Sequence, residues 1–426
     1  MKQVGKILDN SNVRIALEKV IANKGAAGID GMKVEELRAY MNENWSSINQ
    51  SILERSYKPA PVRRVEIPKP NGGVRKLGIP TVVDRTVQQS IDQILTPIFE
   101  AEFQENSYGF RPGRSCEQAV VKHMEYLNDG YEWIVDIDLE KFFDNVPQDK
   151  LMSYVGRVIR DPDTESLIRR NLKSGVMENG IYEATELGTP QGGNLSPLLS
   201  NVMLNELDKE LVKRGLRYVR YADDCIIAVG SSASANRVMH TITKWIEQKL
   251  GLKVNATKTH VCRPNKLKYL GFGFYRSTQT RQWSARPHES SVEKFQRKLK
   301  SLCKRSWSIS LTDRIAMLNS VIRGWINYFS IGAMKSRIEK IDAHLRTMLR
   351  KVIWKQRKTP QKRAWGLRKL GVDNDLAKLT FYCGNRYEWV VRKTCVARAI
   401  SKEILTRRGL ISCLDYYTIR HSLKTN

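Results

Sequence analysis

The 426-residue sequence has no apolar stretch that reaches the roughly 18 residues needed for a membrane-spanning helix. Its N-terminal residues also lack the apolar core of a secretion signal. The seven cysteines are odd in number and form no Cys-x-x-Cys pair, which argues against a disulfide framework and a zinc ribbon. The six histidines are scattered. These absences predict a cytoplasmic protein with no membrane partner and no histidine or cysteine metal site.

Acidic residues are scarce in the last third of the chain. Residues 277–426 hold 33 Lys and Arg against 10 Asp and Glu, whereas residues 1–276 hold 39 against 34. Six of the nine tryptophans also lie in the basic region. Because cations neutralise phosphates and aromatic rings stack on bases, this region predicts a folded nucleic-acid-binding surface.

Two aspartate clusters accompany runs of β-forming residues. Asp223 and Asp224 lie between two strand-like segments, and Asp136 and Asp138 lie at the end of a third. Adjacent carboxylates are costly unless a cation lies between them. Carboxylate oxygens suit Mg²⁺, and paired ions can catalyse in-line phosphoryl transfer. An isolated Asp-Asp pair more often marks a solvated turn, so this prediction depends on the other motifs.

The remaining pattern predicts alternating helices and strands. Helices are expected over much of residues 11–55 and over 82–103, and Asn71-Gly72-Gly73 predicts a hairpin turn. Residues 188–197 form a glycine-rich turn that either approaches a substrate or is a flexible loop. The charged run 355–368, which contains Pro360, is expected to be a linker or an exposed turn.

The order of the motifs resembles that of a reverse transcriptase, and more narrowly of a protein encoded by a bacterial group II intron. Past the polymerase motifs, Gly324-Trp325-Ile326-Asn327-Tyr328-Phe329 resembles the maturase, or thumb, region of these proteins. Each marker alone is weak, but seven in the family's order are specific. These seven are Gly28-Ile29-Asp30-Gly31, Ser107-Tyr108-Gly109-Phe110-Arg111-Pro112, Asp138 with Phe142-Phe143-Asp144, Thr189-Pro190-Gln191-Gly192, Tyr221-Ala222-Asp223-Asp224, Asn255 with Lys258, and Leu270-Gly271-Phe272.

The resemblance implies an α+β fold shaped as a right-hand polymerase, with fingers, a palm built on an antiparallel sheet, a helical thumb and a small basic C-terminal domain. The expected boundaries are 1–285 for fingers and palm, 286–354 for the thumb or maturase domain, and 355–426 for the DNA-binding domain. Many relatives also carry an HNH endonuclease domain with paired cysteines and clustered histidines. This sequence lacks that pattern and resembles the short, class C-like form.

The same resemblance implies the catalytic residues. Asp138, Asp223 and Asp224, with the backbone carbonyl of Leu139, are expected to hold two Mg²⁺ ions, for which Mn²⁺ can substitute. Asp136 is a competing ligand on the same strand. Lys258 is expected to protonate the leaving pyrophosphate, and the alternative is an exposed lysine in a salt bridge.

A second set of residues is expected to bind the substrate. Lys69 and Arg75 resemble the clamp on the incoming triphosphate, and Arg111 is expected to contact template or nucleotide. Gln191 resembles the residue that lies against the nascent base pair. Phe143 matches the steric gate that leaves no room for a ribose 2′-hydroxyl, whereas its neighbour Phe142 is expected in the core.

The implied function is RNA-directed DNA synthesis together with binding of the parent intron RNA to promote splicing and retrohoming. The expected partners are group II intron RNA, an RNA template with a DNA primer, target DNA and deoxynucleoside triphosphates, and a homodimer is one candidate assembly. Two alternatives stay open. One is a reverse transcriptase from a retron, diversity-generating or defence element, and the other is an RNA-binding splicing factor without polymerase activity.

Overall fold

A computed structural model of the protein describes residues 2–68, 72–178, 180–189 and 192–425. The chain divides into two compact units, Met1–Arg263 and Pro264–Asn426. Within the described ranges, no helix is both long and apolar enough to cross a membrane. Helices and sheets are both present, as the α+β prediction requires.

The first unit combines helices with two four-stranded sheets. Its helices are α1 (Gln3–Ile7), α2 (Asn10–Ala22), α3 (Leu37–Leu53), α4 (Val82–Glu100), α5 (Cys116–Asn128), α6 (Phe142–Asn145), α7 (Gln148–Ile159), α8 (Pro162–Leu172), α9 (Ser196–Lys213) and α10 (Ser232–Trp245), with a π-helical turn over Ile246–Leu250. Its strands are β1 (Val62–Pro68), β2 (Val74–Ile79), β3 (Trp133–Ile137), β4 (Val176–Glu178), β5 (Ile181–Glu183), β6 (Arg217–Tyr221), β7 (Asp224–Val229) and β8 (His260–Cys262).

One sheet of the first unit has the order β6-β7-β3-β8, with every neighbouring pair antiparallel. Side chains alternate between the two faces of a strand, so Val135 and Ile137 of β3 lie on the same face. Both belong to a large buried cluster that also contains Leu199 and Met203 of α9. Burial of this face against helices fixes the sheet, and the ends of β3 and β7 carry the aspartates.

The other sheet of the first unit has the order β2-β1-β4-β5. Strands β1 and β2 are antiparallel, with Pro68 opposite Val74, which confirms the predicted hairpin. The following helix α4 begins where expected, because the Thr81 hydroxyl caps it by accepting the backbone N–H of Asp84 at 3.1 Å. It ends at Glu100, slightly before the predicted end.

The second unit is mainly helical and contains one three-stranded sheet of order β11-β10-β9. Its strands are β9 (Lys268–Tyr269), β10 (Phe272–Arg276) and β11 (Trp283–Pro287), preceded by a short 3₁₀ helix over Pro264–Lys266. Its helices are α11 (Glu289–Leu302), α12 (Leu311–Phe329), α13 (Lys335–Lys355), α14 (Pro360–Lys369), α15 (Asn374–Phe381), α16 (Tyr387–Val390), α17 (Thr394–Ala399), α18 (Lys402–Arg407) and α19 (Cys413–Thr425).

The boundary between the two compact units falls between Arg263 and Pro264, whereas the domain boundaries after residues 285 and 354 stay predictions. The small sheet belongs with the helices that follow it, because the Phe272 ring lies 4.8 Å from the ring of Phe329 and 5.8 Å from that of Tyr328. The Tyr328 hydroxyl also donates to the backbone carbonyl of Leu270 at 3.0 Å. Aromatic packing across a long stretch of sequence therefore decides this boundary.

Residues 355–426 lie in the same unit as the preceding helices. The backbone N–H of Cys413 donates to Asp342 of α13 at 2.9 Å, and the hydroxyl of Tyr417 donates to the carbonyl of Gly332 at 3.1 Å. The expected linker is also partly helical, because Pro360 occupies the first turn of α14, where a missing N–H costs nothing.

Candidate active site

Two strand connections bring the predicted aspartates to one edge of the β6-β7-β3-β8 sheet. Tyr221 pairs with Asp224, so Ala222 and Asp223 form a two-residue hairpin turn, and Ala222 adopts a left-handed conformation with φ of 56°. Strand β3 pairs with β7 up to Ile137 opposite Cys225. Asp138 directly follows β3 and therefore lies beside Asp224.

The carboxyl groups at this edge destabilise one another's charged forms. Desolvation, followed by the charges of Asp223, Asp136 and Asp138, raises the pKa of Asp224 to about 6. Burial likewise raises the pKa of Asp223, against the opposing charge of Arg75, and raises the pKa of Asp136 to about 6. A cation bound among these groups would relieve the repulsion that shifts them.

Lys258 supplies a positive charge at this edge. Its Nζ lies 3.2 and 3.3 Å from the two carboxylate oxygens of Asp138. The lysine-bearing loop is itself tied to the aspartate, since Asn255 donates its backbone N–H to the Asp138 carbonyl at 2.8 Å. The hydroxyl of Thr259 accepts the Asp138 N–H at 3.1 Å. Lys258 therefore forms a salt bridge with Asp138, which is the alternative expected for it.

The donor atoms at this edge fit a hard divalent cation, because the carboxylates of Asp138, Asp223 and Asp224 and the backbone carbonyl of Leu139 are all oxygen donors. Throughout the part of the chain that the structure describes, no three His, Cys, Asp or Glu side chains are already arranged around a metal position. The Lys258 ammonium lies 3.2 Å from the Asp138 carboxylate, so it shares this oxygen donor set.

A buried ion pair behind the hairpin was missed by sequence reasoning. The side chains of Arg220 and Asp208 are both fully buried and approach to 2.6 Å. Burial by itself lowers the pKa of Arg220, but Asp208 more than reverses this, and the net shift is upward. Arg220 also donates to the Ala222 carbonyl at 2.9 Å, directly before the Asp223–Asp224 pair. The sequence signals for this ion pair were the arginine directly before the Tyr-Ala-Asp-Asp motif and the aspartate within the helix that became α9.

The segment 106–110 lies against the hairpin from the other side. The backbone of Arg220 exchanges hydrogen bonds with it, accepting from Tyr108 at 2.8 Å and donating to Asn106 at 2.9 Å. Asn201 of α9 donates to the Gly109 carbonyl at 2.8 Å. A Cβ atom at Gly109 would lie 2.2 Å from the backbone nitrogen of Ala222, so only glycine fits here.

Arg111 has a different role from the one expected. Its guanidinium is buried and donates to the Glu100 carboxylate at 2.6 to 3.1 Å and to the carbonyls of Gln104 at 2.6 Å and Ser107 at 2.8 Å. Four of its five N–H groups are engaged in this way. Arg111 therefore organises the loop before α5, and this geometry does not support the predicted contact with template or nucleotide.

The two neighbouring phenylalanines differ in burial. Phe142 is buried in the core, whereas Phe143 is partly buried and lines a cavity of about 150 Å³ together with Arg64 and Lys76 of the β1–β2 hairpin. The two rings meet edge to face with centroids 5.2 Å apart. Asp144 also lines this cavity, and Arg64 and Lys76 both lie near Glu178, so the cavity carries charges of both signs.

The described start of the glycine-rich turn, residues 188–189, is held against this phenylalanine. Thr189 donates its backbone N–H to the Phe143 carbonyl at 2.7 Å, and Gly188 donates to that of Val146 at 2.8 Å. Gly188 has φ of 87°, and a Cβ there would meet the Phe143 carbonyl at 2.8 Å. The predicted substrate residues Lys69 and Gln191 lie outside the described residues.

Comparison with known proteins agrees with this geometry. Residues 67–274 match the family described as reverse transcriptase (RNA-dependent DNA polymerase), and residues 292–371 match the group II intron maturase-specific domain. Protein YkfC of Escherichia coli K12 is 34% identical over 285 residues, which cover 58% of this chain and 75% of YkfC. The chain belongs to the group II intron reverse transcriptases.

Two further proteins are similar to this group II intron reverse transcriptase. The group II intron-encoded protein LtrA of Lactococcus lactis subsp. cremoris is 38% identical over 213 residues, 50% of this chain and 35% of LtrA. A telomerase from Candida albicans, solved with a fragment of telomeric RNA, aligns with 83% of this chain and 68% of its own at 14% identity, with a TM-score of 0.44. The matched region thus spans about a third of LtrA.

The maturase-specific region of this group II intron reverse transcriptase begins in α11 and runs through α14. Trp325 of α12 is partly buried, and its ring stacks on that of Phe295 with centroids 4.4 Å apart. The helices that follow α13 expose aromatic rings next to cations. Trp365 is 60% exposed with Lys369 at 5.0 Å from its ring, and Trp389 is 63% exposed with Lys393 at 4.2 Å.

Proposed function

We propose that this protein copies RNA into DNA at a divalent-cation site formed by Asp138, Asp223, Asp224 and the backbone carbonyl of Leu139. The observation that carries the proposal is the meeting of the β3 end and the β6–β7 turn at one sheet edge. The all-oxygen donor set suits two Mg²⁺ ions, with Mn²⁺ as a substitute. Such ions, when bound, activate the primer 3′-hydroxyl and neutralise the charge of the departing pyrophosphate.

The surrounding side chains of the protein are proposed to position and neutralise the substrate. Lys258 leaves Asp138 when a cation arrives, and its ammonium then becomes available to give a proton to pyrophosphate. Arg75, which is exposed on β2 and acts electrostatically on Asp223, is proposed to hold the triphosphate together with Lys69. Gln191 is proposed to contact the nascent base pair.

Phe143 is proposed to select the sugar. Its ring lines the small cavity beside Arg64 and Lys76, where a nucleotide bound by the hairpin would place its ribose. A ring beneath C2′ leaves space for hydrogen but not for a hydroxyl group, so deoxynucleotides are preferred.

The basic second unit is proposed to bind the parent group II intron RNA and target DNA. Its maturase-specific region and its exposed tryptophan–lysine pairs support this assignment. The RNA is the catalyst of splicing, and the protein contributes cations and a complementary surface that stabilise the folded RNA. Reverse transcription of the excised intron RNA, once it has inserted at a DNA target, would complete retrohoming in the cytoplasm of a bacterial cell. A homodimer stays a prediction.

Primer extension tests the polymerase assignment. An annealed DNA primer on an RNA template, with Mg²⁺ and deoxynucleoside triphosphates, should be extended by the parent and not by the Asp223→Ala/Asp224→Ala variant. Both proteins should bind the annealed substrate, which separates loss of chemistry from loss of binding. A folded, RNA-binding parent that extends no primer in Mg²⁺ or Mn²⁺ would favour the splicing-factor alternative.

Splicing in the presence of the same two proteins tests the maturase assignment independently. The double variant should promote splicing of its intron RNA as well as the parent does, because its RNA-binding surface is unchanged. Extension without any effect on splicing would favour a retron, diversity-generating or defence reverse transcriptase.

A further inference from the structure

Two cysteines separated by 12 positions and the short helix α16 meet in the second unit. The Sγ atoms of Cys383, shortly after α15, and Cys395, in the first turn of α17, lie 3.3 Å apart. A formed disulfide has an S–S length of about 2.05 Å, so closing the bond requires a movement of little more than an ångström. Both residues are partly exposed, so a small reagent can reach them.

The segment between the cysteines, residues 384–394, carries three of the 36 Lys and Arg residues of this unit. It contains Arg386, Trp389, Arg392 and Lys393. Trp389 is 63% exposed and lies 4.2 Å from the Lys393 ammonium. A covalent bond between Cys383 and Cys395 would close this segment into a loop at its base.

The start of the segment is already held in place by other interactions. The indole Nε1 of Trp354 donates to the Gly384 carbonyl at 2.9 Å, and Arg363 donates to both the Phe381 carbonyl and the Asn385 side chain. Cys383 itself donates its backbone N–H to the Thr380 carbonyl at 3.2 Å. The fold therefore presents the two sulfurs to each other before any oxidation occurs.

We propose that Cys383 and Cys395 form a thiol–disulfide site that reacts with low-molecular-weight disulfides such as oxidised glutathione. One thiolate attacks the reagent, releases one glutathione thiol and leaves a mixed disulfide. The second thiolate then attacks the protein sulfur and releases the second glutathione. The two protein thiols lose two electrons and two protons, and the reagent is reduced to two thiols.

The other cysteines provide the contrast. Cys225, Cys262, Cys303 and Cys413 are buried, which keeps a reagent of the size of glutathione away from their sulfur atoms. Cys116 is partly exposed, as the pair is. A single accessible thiol of this kind stops at the mixed disulfide, whereas a pair in contact proceeds to an internal bond.

Thiol counting and peptide mapping test the proposal on the full chain. The Cys116→Ser variant removes one of the seven cysteines, so the pair is the remaining partly exposed site. After incubation of this variant with oxidised glutathione and removal of the reagent, two thiols per chain should disappear from the titration in denaturant. Trypsin digestion without reductant should release residues 379–386 joined to residues 394–398. Hydrogen exchange across residues 384–394 should slow at least severalfold in the oxidised protein.

Two further variants make the outcome decisive. Cys383→Ser and Cys395→Ser should each lose the joined peptide and carry glutathione on the remaining cysteine. The parent, which keeps both thiols of the pair, should give the same joined peptide as Cys116→Ser. Glutathione found separately on Cys383 and Cys395 of the parent, or unmodified thiols at both, would overturn the proposal. Primer extension is not a readout here, so failure of this proposal and failure of the polymerase assignment remain distinguishable.

Discussion

The two units of this protein use charge in opposite ways. Residues 1–263 contain 36 Lys and Arg and 34 Asp and Glu, whereas residues 264–426 contain 36 and 10. In the first unit, charges of opposite sign are placed against one another, and the Arg220–Asp208 pair is removed from water altogether. In the second unit, cations are in large excess over acids. The activity of the first unit should therefore depend on individual charged side chains, whereas nucleic-acid binding by the second unit should depend on the combined charge of many cations.

The largest effect is expected from breaking the buried pair in the first unit. Asp208→Asn leaves the Arg220 charge buried without its partner, which should lower the free energy of unfolding by about 3–5 kcal/mol, measured by urea denaturation. Primer extension should fall about tenfold or more, at a temperature where the variant is still folded, because the Ala222 carbonyl loses its fixed donor.

The exposed Arg169–Asp149 pair of the same unit is the matched control. Asp149→Asn removes one acidic group in the same way but should cost less than about 1 kcal/mol and leave extension unchanged. Equal losses of unfolding free energy in Asp208→Asn and Asp149→Asn would show that the buried pair contributes no more to the first unit than an exposed pair does.

The next effect concerns sugar selection by a single ring. Phe143→Ala should reduce the preference for deoxynucleotides over ribonucleotides by about tenfold or more in single-nucleotide incorporation, because space opens where a 2′-hydroxyl would lie. Phe142→Ala removes the same side chain from the core and should cost about 3–5 kcal/mol of stability with selection unchanged. An unaltered preference in folded Phe143→Ala protein would rule out the gate.

A smaller, distributed effect is expected in the second unit. The double variant Arg407→Gln/Arg408→Gln removes two exposed cations and should reduce the slope of log affinity against log salt concentration by roughly 0.9 for each phosphate that is no longer neutralised. Binding to duplex DNA should weaken only severalfold at moderate salt. The exposed residues Arg157 and Arg160 of the first unit, changed to glutamine, should leave the slope as it was.

The smallest effect is expected at Asp136, the competing metal ligand. Asp136→Asn should keep extension within about threefold of the parent, whereas Asp138→Asn should abolish it. The pKa of Asp136 is raised from 3.8 to about 6, so the folded state binds the proton more tightly than the unfolded state does, and the group destabilises the fold as pH rises through this range. Measured without metal, the melting temperature of Asp136→Asn should therefore increase relative to that of the parent as pH rises from about 3.8 to about 6. If Asp136→Asn lost primer extension as completely as Asp138→Asn, Asp136 would be identified as a metal ligand.

Local pattern was sufficient to predict the elements that position the aspartates. The alternation around Asp138 and the two short runs flanking Asp223 and Asp224 predict strand ends, and strand pairing then brings the three residues together. The hairpin of β1 and β2 follows from its turn residues in the same way. The difference in burial between Phe142 and Phe143 follows from their adjacency at the start of α6, where neighbouring side chains leave the helix about 100° apart.

Local sequence pattern could not predict the interactions between segments that are distant in the chain. Arginine serves phosphate binding and internal ion pairs equally well, so the sequence did not distinguish the buried Arg111 from the exposed Arg75. The partners of Arg220 are separated from it by as many as 113 positions. The unit boundary depends on rings from β10 and α12 that meet only in the folded chain.

The close approach of Gly109 to Ala222 has a consequence for protein engineering. A Cβ atom at Gly109 would lie only 2.2 Å from the backbone nitrogen of Ala222. The aspartate turn therefore packs directly against a backbone segment more than a hundred positions earlier in the chain. A designer who grafts the Tyr-Ala-Asp-Asp hairpin alone onto another sheet would transplant the ligands without the template that shapes them. The transferable cassette is the hairpin together with residues 106–110 and the helix that carries Asn201 and Asp208.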